Sequence, residues 1–203
     1  DPAAARQLLD EAGLPAGKDG VRVDASGRRV SLSLASSSEN ADTEQTLLLV
    51  QRALGDIGID SQLELSPFKV FFGEAVRKRR FPHVAYLAWT VDPSSIGTQL
   101  WRSDRIPSAD NGFKGQNTTG FRNDEVTALL AEADRTLELG KRQALLARVQ
   151  RIVQDELPAI PMSFKPVVIV HRIGVSGLVP TGGTAPLAWN AHAWRLVSAA
   201  PPR

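Results

Sequence analysis

The segment from Tyr86 to Pro93 contains the side chains in this sequence that are best suited to hold a ligand. Its pattern predicts a buried strand that ends on an aromatic ring, a hydroxyl and a carboxylate, which are those of Trp89, Thr90 and Asp92. Proteins of the α/β class place ligand sites at the carboxyl ends of their strands. A carboxylate beside an indole face suits a ligand with an amine, because the carboxylate binds the ammonium group and the ring covers apolar surface. The alternative is structural, with Asp92 capping the turn after the strand.

Strands and helices alternate before this segment. Residues 30–34 and 59–65 alternate apolar and polar side chains, which predicts two half-buried strands. An apolar stripe over residues 42–57 predicts a helix between them, so the three elements form a βαβ unit with parallel strands. A short helix is expected over residues 67–79. Residues 84–89 are apolar nearly throughout, which predicts a third strand covered on both faces.

The chain changes character after Pro93. Residues 94–122 predict a short helix followed by a long polar loop, and loops of this length inside a compact domain are usually functional or mobile. Two helices are expected next, one capped by Asn123 and one over residues 141–156. An extended segment over residues 162–170 and a tail rich in Gly and Pro should complete the chain.

Composition and charge exclude several classes of protein. The 203 residues include 24 basic and 22 acidic side chains, and 42% of them are hydrophobic, as in an ordinary globular protein. Residues 77–80 form a basic run, which we interpret as a solvated helix end because no aromatic residues interleave with it. We therefore predict no nucleic-acid partner. The absence of cysteine excludes disulfides, thiolate zinc sites and a cysteine nucleophile.

The motifs of common catalytic and cofactor sites are missing from the sequence. It has no Gly-x-Ser-x-Gly elbow, no Walker loop, no Gly-x-Gly-x-x-Gly and no His-Glu-x-x-His. His83, His171 and His192 are far apart and lack metal-ligand spacing. We predict that the protein is not an enzyme and that it uses no metal and no cofactor. An enzyme would need a nucleophile or an acid–base group at the strand ends, and the sequence shows none there.

Five stretches, in their order and spacing, resemble the C-terminal lobe of bacterial ABC-transporter solute-binding proteins of family 5, the dipeptide- and oligopeptide-binding type. They are residues 1–13, 51–59, 88–93 with a W-x-x-D strand end, 120–133 and 142–161. The resemblance implies an α/β fold of the periplasmic-binding-protein type (class C, lobe II). A central, mixed but mostly parallel sheet would be flanked by helices.

The resemblance also implies five ligand-binding residues. Asp92 would receive the α-amino group of a peptide, Trp89 would line a side-chain pocket, and the backbone of Thr90 would contact an extended peptide. Asn117 precedes the post-loop helix and would form a hydrogen bond in the cleft. Arg77 corresponds to a basic residue near the ligand in some relatives, and its alternative is a solvated arginine.

A substrate-binding component of a bacterial ABC importer is the function that the resemblance implies. It would capture peptides in a hinged cleft and deliver them to a membrane permease. Residues 1–170 would form the C-terminal lobe, and residues 171–203 would return to an N-terminal lobe that is missing here. We expect a mobile tail, or one packed on a neighbouring chain through Trp189 and Trp194.

The compartment and two alternative functions follow from the same resemblance. The chain opens on Asp1 and Pro2 without a signal-peptide pattern, so we expect a fragment of a longer protein, periplasmic or extracellular, with lipid anchoring left open. One alternative is the ligand-sensing domain of a regulator with the same fold. The other is a binding protein for another solute, such as a sugar, a nickel complex or an opine.

Overall fold

The structure, a computed structural model, describes residues 1–90, 97–164, 168–180 and 186–197. The chain divides into two compact units, the first made of Asp1–Ala88 and Asp104–Gly120 and the second of Trp89–Ser103 and Phe121–Arg203. None of the described helices combines the length and the apolar character that a membrane span needs.

Two capped helices and a sheet form most of the first unit. Its elements in chain order are α1 (Pro2–Glu11), β1 (Ser31–Ser37), α2 (Ala41–Asp56), β2 (Asp60–Ser66), α3 (Phe68–Val70), a π-helix (Phe71–Val76) and β3 (Val84–Ala85). The side chain of Asp1 caps α1 by accepting hydrogen bonds from the amides of Ala3 and Ala4 at 2.9 and 3.1 Å. Asn40 caps α2 by accepting from the amide of Asp42 at 2.9 Å. These side chains satisfy amides that lack partners inside the helices.

The strands of the first unit form one parallel sheet in the order β2-β1-β3. β1 pairs with β2 along its whole length, beginning with Ser31 opposite Asp60. β3 pairs with β1 through Val84 and Ala85 only. The predicted βαβ unit of β1, α2 and β2 is confirmed, and so is the α/β fold class.

The central strand of this sheet is β1. Its neighbouring residues Leu34 and Ala35 point to opposite faces and are 1% and 4% exposed, so both faces of the strand are covered. Phe71 and Val76 of the π-helix form a buried cluster with Ala35. Leu47, which is 1% exposed, is the buried residue of α2, and α2 packs against β2 and β1.

The predicted third strand over residues 84–89 is wrong beyond Ala85. The amide of Tyr86 still donates to the carbonyl oxygen of Ala35 at 2.9 Å, but the chain then leaves regular structure. Trp89 is 43% exposed, so the expectation that both faces are covered is also wrong. The apolar run is misleading because β3 lies at an edge of the described sheet, where one side of a strand has no pairing partner.

The predicted helix over residues 67–79 forms, but with a change of helix type. The short α3 continues directly into the π-helix, a rare form that often occurs at functional sites. The turn after it ends at Arg79, whose φ of 54° lies in the left-handed region. The amide of Arg80 donates to the carbonyl oxygen of Ala75 at 2.7 Å and closes this end.

A buried arginine joins the carboxyl ends of α1 and α2. Arg22 is 3% exposed and forms an ion pair with Asp10 of α1. Its guanidinium also donates to the carbonyl oxygens of Leu14, Ile57 and Arg6 at 2.9, 3.2 and 3.2 Å. A cation at the carboxyl end of a helix complements the helix dipole, so one side chain stabilises two helix ends.

The second unit is built around two helices that pack on each other and a short tail. Its elements are α4 (Thr98–Trp101), α5 (Asp124–Ala133), α6 (Leu139–Glu156), β4 (Val175–Ser176), a 3-10 helix (Leu187–Ala193) and β5 (Arg195–Leu196). A 3-10 turn (Ser103–Arg105) follows α4, and its last two residues belong to the first unit. Val126, Leu130 and Val149 form its core and are at most 4% exposed. Asn123 caps α5 by accepting from the amide of Val126 at 3.0 Å, which confirms the predicted cap.

The tail of the second unit contains the antiparallel pair β4 and β5. The predicted extended segment over residues 162–170 has no regular structure in its described part. The indole N–H groups of Trp189 and Trp194 donate to the carbonyl oxygen of Val179 and to Oδ1 of Asn190 at 2.9 and 3.0 Å. A mobile tail, a tail packed on a neighbouring chain and the domain boundary all stay predictions.

Candidate functional site

The carboxyl edge of the parallel sheet is where the loops of the first unit meet. The hydroxyl of Ser36 donates to the carbonyl oxygen of Tyr86 at 2.8 Å, and the amide of Ser38 donates to the carbonyl oxygen of Ser66 at 2.9 Å. The chain leaves β1 towards β2 on one side, while β3 lies on the other side of β1. Open α/β sheets bind ligands at such a topological switch point.

An aromatic ring and a carboxylate lie at this edge. The amide of Phe68 donates to Oε1 of Glu39 at 3.1 Å, so the side chain of Glu39 caps α3. Phe68 is 51% exposed, and its ring centroid lies 4.5 Å from that of Phe72. The sequence prediction missed Glu39 and Phe68 as site candidates. Two features of the sequence could have indicated them: Glu39 follows a serine-rich turn after a strand, and Phe68 is an aromatic residue directly after Pro67.

Arg77 and Asn117 both lie in the first unit; Asn117 is part of the segment Asp104–Gly120, and Arg77 contacts that segment. Arg77 is exposed, and its Nε donates to the carbonyl oxygen of Phe113 at 3.4 Å. Asn117 is 0% exposed, and its Oδ1 accepts from the hydroxyl of Thr119 and the amide of Gly120 at 3.0 and 3.1 Å. Arg77 is thus open to a ligand, whereas Asn117 orders its own turn, and contact of either residue with a ligand stays a prediction.

The other cations of the basic run have acidic or backbone partners. Lys78 Nζ donates to both carboxylate oxygens of Glu74 at 2.8 and 2.7 Å, and this hydrogen bonding lowers the pKa of Glu74. Arg80 lies 3.5 Å from the same carboxylate. Arg79 donates to the carbonyl oxygen of Thr118 at 3.2 Å. The run is therefore anchored on the first unit.

Trp89 and Thr90 begin the second unit, and both are exposed. Within the described part of the chain, neither backbone amide donates a hydrogen bond. An exposed indole and two available amides can contact an extended peptide, and that contact stays a prediction. Asp92 lies outside the described residues, so its assignment depends on the sequence alone.

A depression in the first unit lies at the opposite, amino-terminal end of β2. It encloses about 400 Å³ and is lined by residues that include Asp19, Gly58, Asp60 and Ser61. The amide of Val21 donates to Asp19 at 3.2 Å and lowers the pKa of that carboxyl group. Among the described residues, no group of three His, Asp or Glu side chains is placed to hold a metal ion.

Comparison with known families and sequences gives one consistent result. The model of a family described as bacterial extracellular solute-binding proteins, family 5 Middle, matches residues 1–108. The glutathione-binding protein GsiB of Salmonella choleraesuis is 27% identical over 178 residues, which are 87% of this chain and 32% of that protein. GsiB of Escherichia coli is 26% identical over the same shares. The chain spans about a third of the length of these curated relatives.

Solved structures show the same fold. An oligopeptide-binding protein from Thermus thermophilus, complexed with a pentapeptide, matches 79% of this chain and 29% of its own with a TM-score of 0.74 and 28% identity. NikZ from Campylobacter jejuni, in complex with Ni(L-His), matches 96% of this chain and 38% of its own with a TM-score of 0.71 and 19% identity. The predicted fold class is confirmed. Since these two proteins hold a pentapeptide and a nickel–histidine complex, the fold alone does not select the ligand.

Proposed function

Since the chain belongs to the bacterial extracellular solute-binding proteins of family 5, we propose that it forms one wall of the ligand cleft of an ABC importer's binding component. The ligand that we propose is a short peptide. The observation that carries this proposal is the 28% identity with an oligopeptide-binding protein that holds a pentapeptide. The curated relatives support it, because they are named for glutathione, which is a tripeptide.

The residues that we propose as ligand contacts include two of opposite charge and one with an aromatic ring. Asp92 binds the α-ammonium group of the peptide, and Trp89 packs on its apolar side chains. The backbone of Thr90 forms hydrogen bonds with the extended main chain of the ligand. Arg77 lies near an anionic group of the ligand, and the turn of residues 117–120, in which Asn117 lies, faces the ligand. The exposed Trp89, Thr90 and Arg77 support these assignments.

Binding would require a second wall. We propose that another lobe of the protein closes on this one about a hinge, so that the bound peptide is covered on both sides. Main-chain hydrogen bonds and bound water would hold peptides of varied sequence. The closed protein would then dock on a membrane permease. With one wall only, the chain should bind peptides poorly.

The carboxyl-terminal residues of the second unit are proposed to pack on that other lobe. Ile160, Met162, Phe164, Val168 and Val170 are all at least 54% exposed, and they occupy alternate positions within residues 160–164 and 168–170. Alternating apolar residues are the pattern of a strand that buries one face. We propose that this face, together with residues 171–203, is covered by the first lobe of the protein.

The family consists of extracellular solute-binding proteins, and the curated relatives are named as binding proteins. We propose that the complete protein is periplasmic or extracellular. Its activity on this proposal is reversible binding without chemical change of the ligand. The transport direction, into the cell, follows from the importer that it serves.

The proposal is tested with the full-length protein and two peptides, glutathione and trialanine. A peptide at about 100 times its Kd should raise the unfolding temperature by roughly 3–8 °C. Asp92→Asn should weaken binding about 30-fold, because a charge-assisted hydrogen bond contributes about 2 kcal/mol. The control is Asp155→Asn, which changes an exposed carboxylate of α6. No stabilisation by either peptide, or equal effects of both substitutions, would contradict the proposal.

A further inference from the structure

Arg79 occupies a backbone conformation that normally belongs to glycine. Its φ is 54°, and its amide donates to the carbonyl oxygen of Val76 at 3.0 Å. The following amide, of Arg80, donates to the carbonyl oxygen of Ala75 at 2.7 Å. Helix ends of this kind favour glycine, because the Cβ of any other residue is strained in the left-handed region. Strained residues persist where the surrounding contacts hold them in place, and they cluster at ligand sites.

The side chain of Arg79 lies across the turn formed by residues 117–120. Its Nε donates to the carbonyl oxygen of Thr118 at 3.2 Å. Gly120 has a φ of 77°, and a Cβ built on it would lie 1.9 Å from Nη2 of Arg79 and 2.6 Å from Cζ. The guanidinium therefore occupies the space where any other residue at position 120 would place its side chain.

The turn that Arg79 covers is the one that contains Asn117. The amide of Gly120 donates to Oδ1 of Asn117 at 3.1 Å, so the guanidinium and Asn117 hold the same glycine. Thr118 is 7% exposed. Within the described part of the chain Arg79 forms no ion pair. It contacts this turn in two ways, because its Nε donates to the carbonyl oxygen of Thr118 and its flat guanidinium packs on Gly120.

We propose that Arg79 is a positioning residue for the ligand cleft. It holds the turn of residues 117–120 in the conformation that peptide binding requires, and it strains its own backbone to do so. This inference depends on the proposed function, in which that turn faces the ligand. Positions of this kind exchange stability for activity, so relieving the strain should stabilise the fold and weaken binding.

The test is Arg79→Gly in the full-length protein, with glutathione and trialanine as probes. The substitution removes both the strain and the guanidinium. We expect the unfolding temperature without ligand to stay equal or to rise, and the affinity for the bound peptide to fall about 5- to 20-fold. Arg79→Lys keeps the charge and the strain but loses the planar donor group. It should weaken binding to the same extent without the gain in stability.

Leu157→Gly is the matched control, because Leu157 has a φ of 45° at the end of α6. It should relieve a similar strain and leave peptide affinity unchanged. Hydrogen exchange at the amide of Gly120 supplies a readout that needs no ligand, and Arg79→Gly should accelerate it in the folded protein. Unchanged exchange and unchanged affinity would overturn the inference. If Arg79→Gly accelerates exchange but the unsubstituted protein binds neither peptide, the proposed function is refuted, and with it the role of Arg79 in binding.

Discussion

Single charged residues differ sharply in their surroundings, as Arg22 and Arg77 show. Arg22 is 3% exposed, and its guanidinium has four hydrogen-bond acceptors. Two of them lie in α1, one lies after α1 and one lies directly after α2. Arg77 is exposed and has one backbone acceptor, at 3.4 Å. The guanidinium of Arg22 is enclosed and already donates to the protein, so it cannot bind a ligand. A ligand contact needs an exposed cation such as Arg77.

Arg22→Met should destabilise the first unit strongly. The substitution keeps much of the volume but leaves the carbonyl oxygens of Arg6, Leu14 and Ile57 without their donor, which should lower the free energy of unfolding by about 2–4 kcal/mol. Urea unfolding followed by circular dichroism measures the change.

The control for this prediction is Arg28→Met. Arg28 pairs with Asp24 at 2.8 Å, but its side chain is 82% exposed. Surface pairs of this kind contribute about 0–1 kcal/mol, so the loss should stay within that range. Similar losses for the two variants would show that the buried contacts of Arg22 do not stabilise the fold.

At the scale of elements, local signals predict most of the structure. The stripe of α2 and the cap of Asn123 depend on neighbours within one or two helical turns, so they can be read from the sequence. β3 fails because strand length depends on a partner from a distant part of the chain. The π-helix and the left-handed Arg79 were also missed, since they depend on packing over β1 and on the turn at Gly120.

The early end of β3 gives a prediction about hydrogen exchange. The amide of Tyr86 is bonded to Ala35 and should exchange slowly, whereas those of Ala88, Trp89 and Thr90 have no acceptor in the described structure and should exchange fast. In the full-length protein, trialanine or glutathione should slow exchange at Thr90. Mass spectrometry or NMR measures both effects. Slow exchange at Ala88 to Thr90 without ligand would restore the longer strand.

At the scale of the whole molecule, the second unit exposes an apolar face that a folded protein normally covers. Phe164 is fully exposed and Val170 is 91% exposed. Contiguous exposed apolar residues mark surfaces that bind another part of a protein or another chain. The length of the relatives supports an intramolecular cover, because this chain corresponds to 32% of GsiB.

Phe164→Ser should therefore affect the longer protein and spare the chain alone. In the 203-residue chain, the free energy of unfolding should change by less than about 0.5 kcal/mol, as for other surface sites. In the full-length protein, the loss of a buried aromatic ring should cost about 3 kcal/mol or more.

Leu137→Ser provides the comparison, because Leu137 is 99% exposed between α5 and α6 and has no place in the proposed covered face. It should be neutral in both proteins. Equal effects of Phe164→Ser on the chain and on the full-length protein would mean that the residue is not covered by the remainder of the protein.

The candidate site was predicted in part by physical reasoning and in part by resemblance. The prediction for Trp89 and Asp92 came from the general rule for α/β sheets, although β3 ends earlier, at Ala85, whereas the assignments of Arg77 and Asn117 came from the resemblance alone. The burial of Asn117 depends on the fold of residues 104–120, which has no regular pattern to read. Glu39 was missed because its bond to Phe68 joins loops that are distant in sequence.

The central claim is that the carboxyl edge of the sheet forms a wall of a peptide cleft. A crystal structure of the full-length protein with glutathione or trialanine tests it most directly. We expect peptide density beyond the carboxyl ends of β1 and β3, with the indole of Trp89 against the ligand and the ammonium group of the peptide at Asp92. Density at the amino-terminal end of β2, beside Asp19 and Asp60, would contradict this claim, and so would a ligand that contacts no residue of this chain.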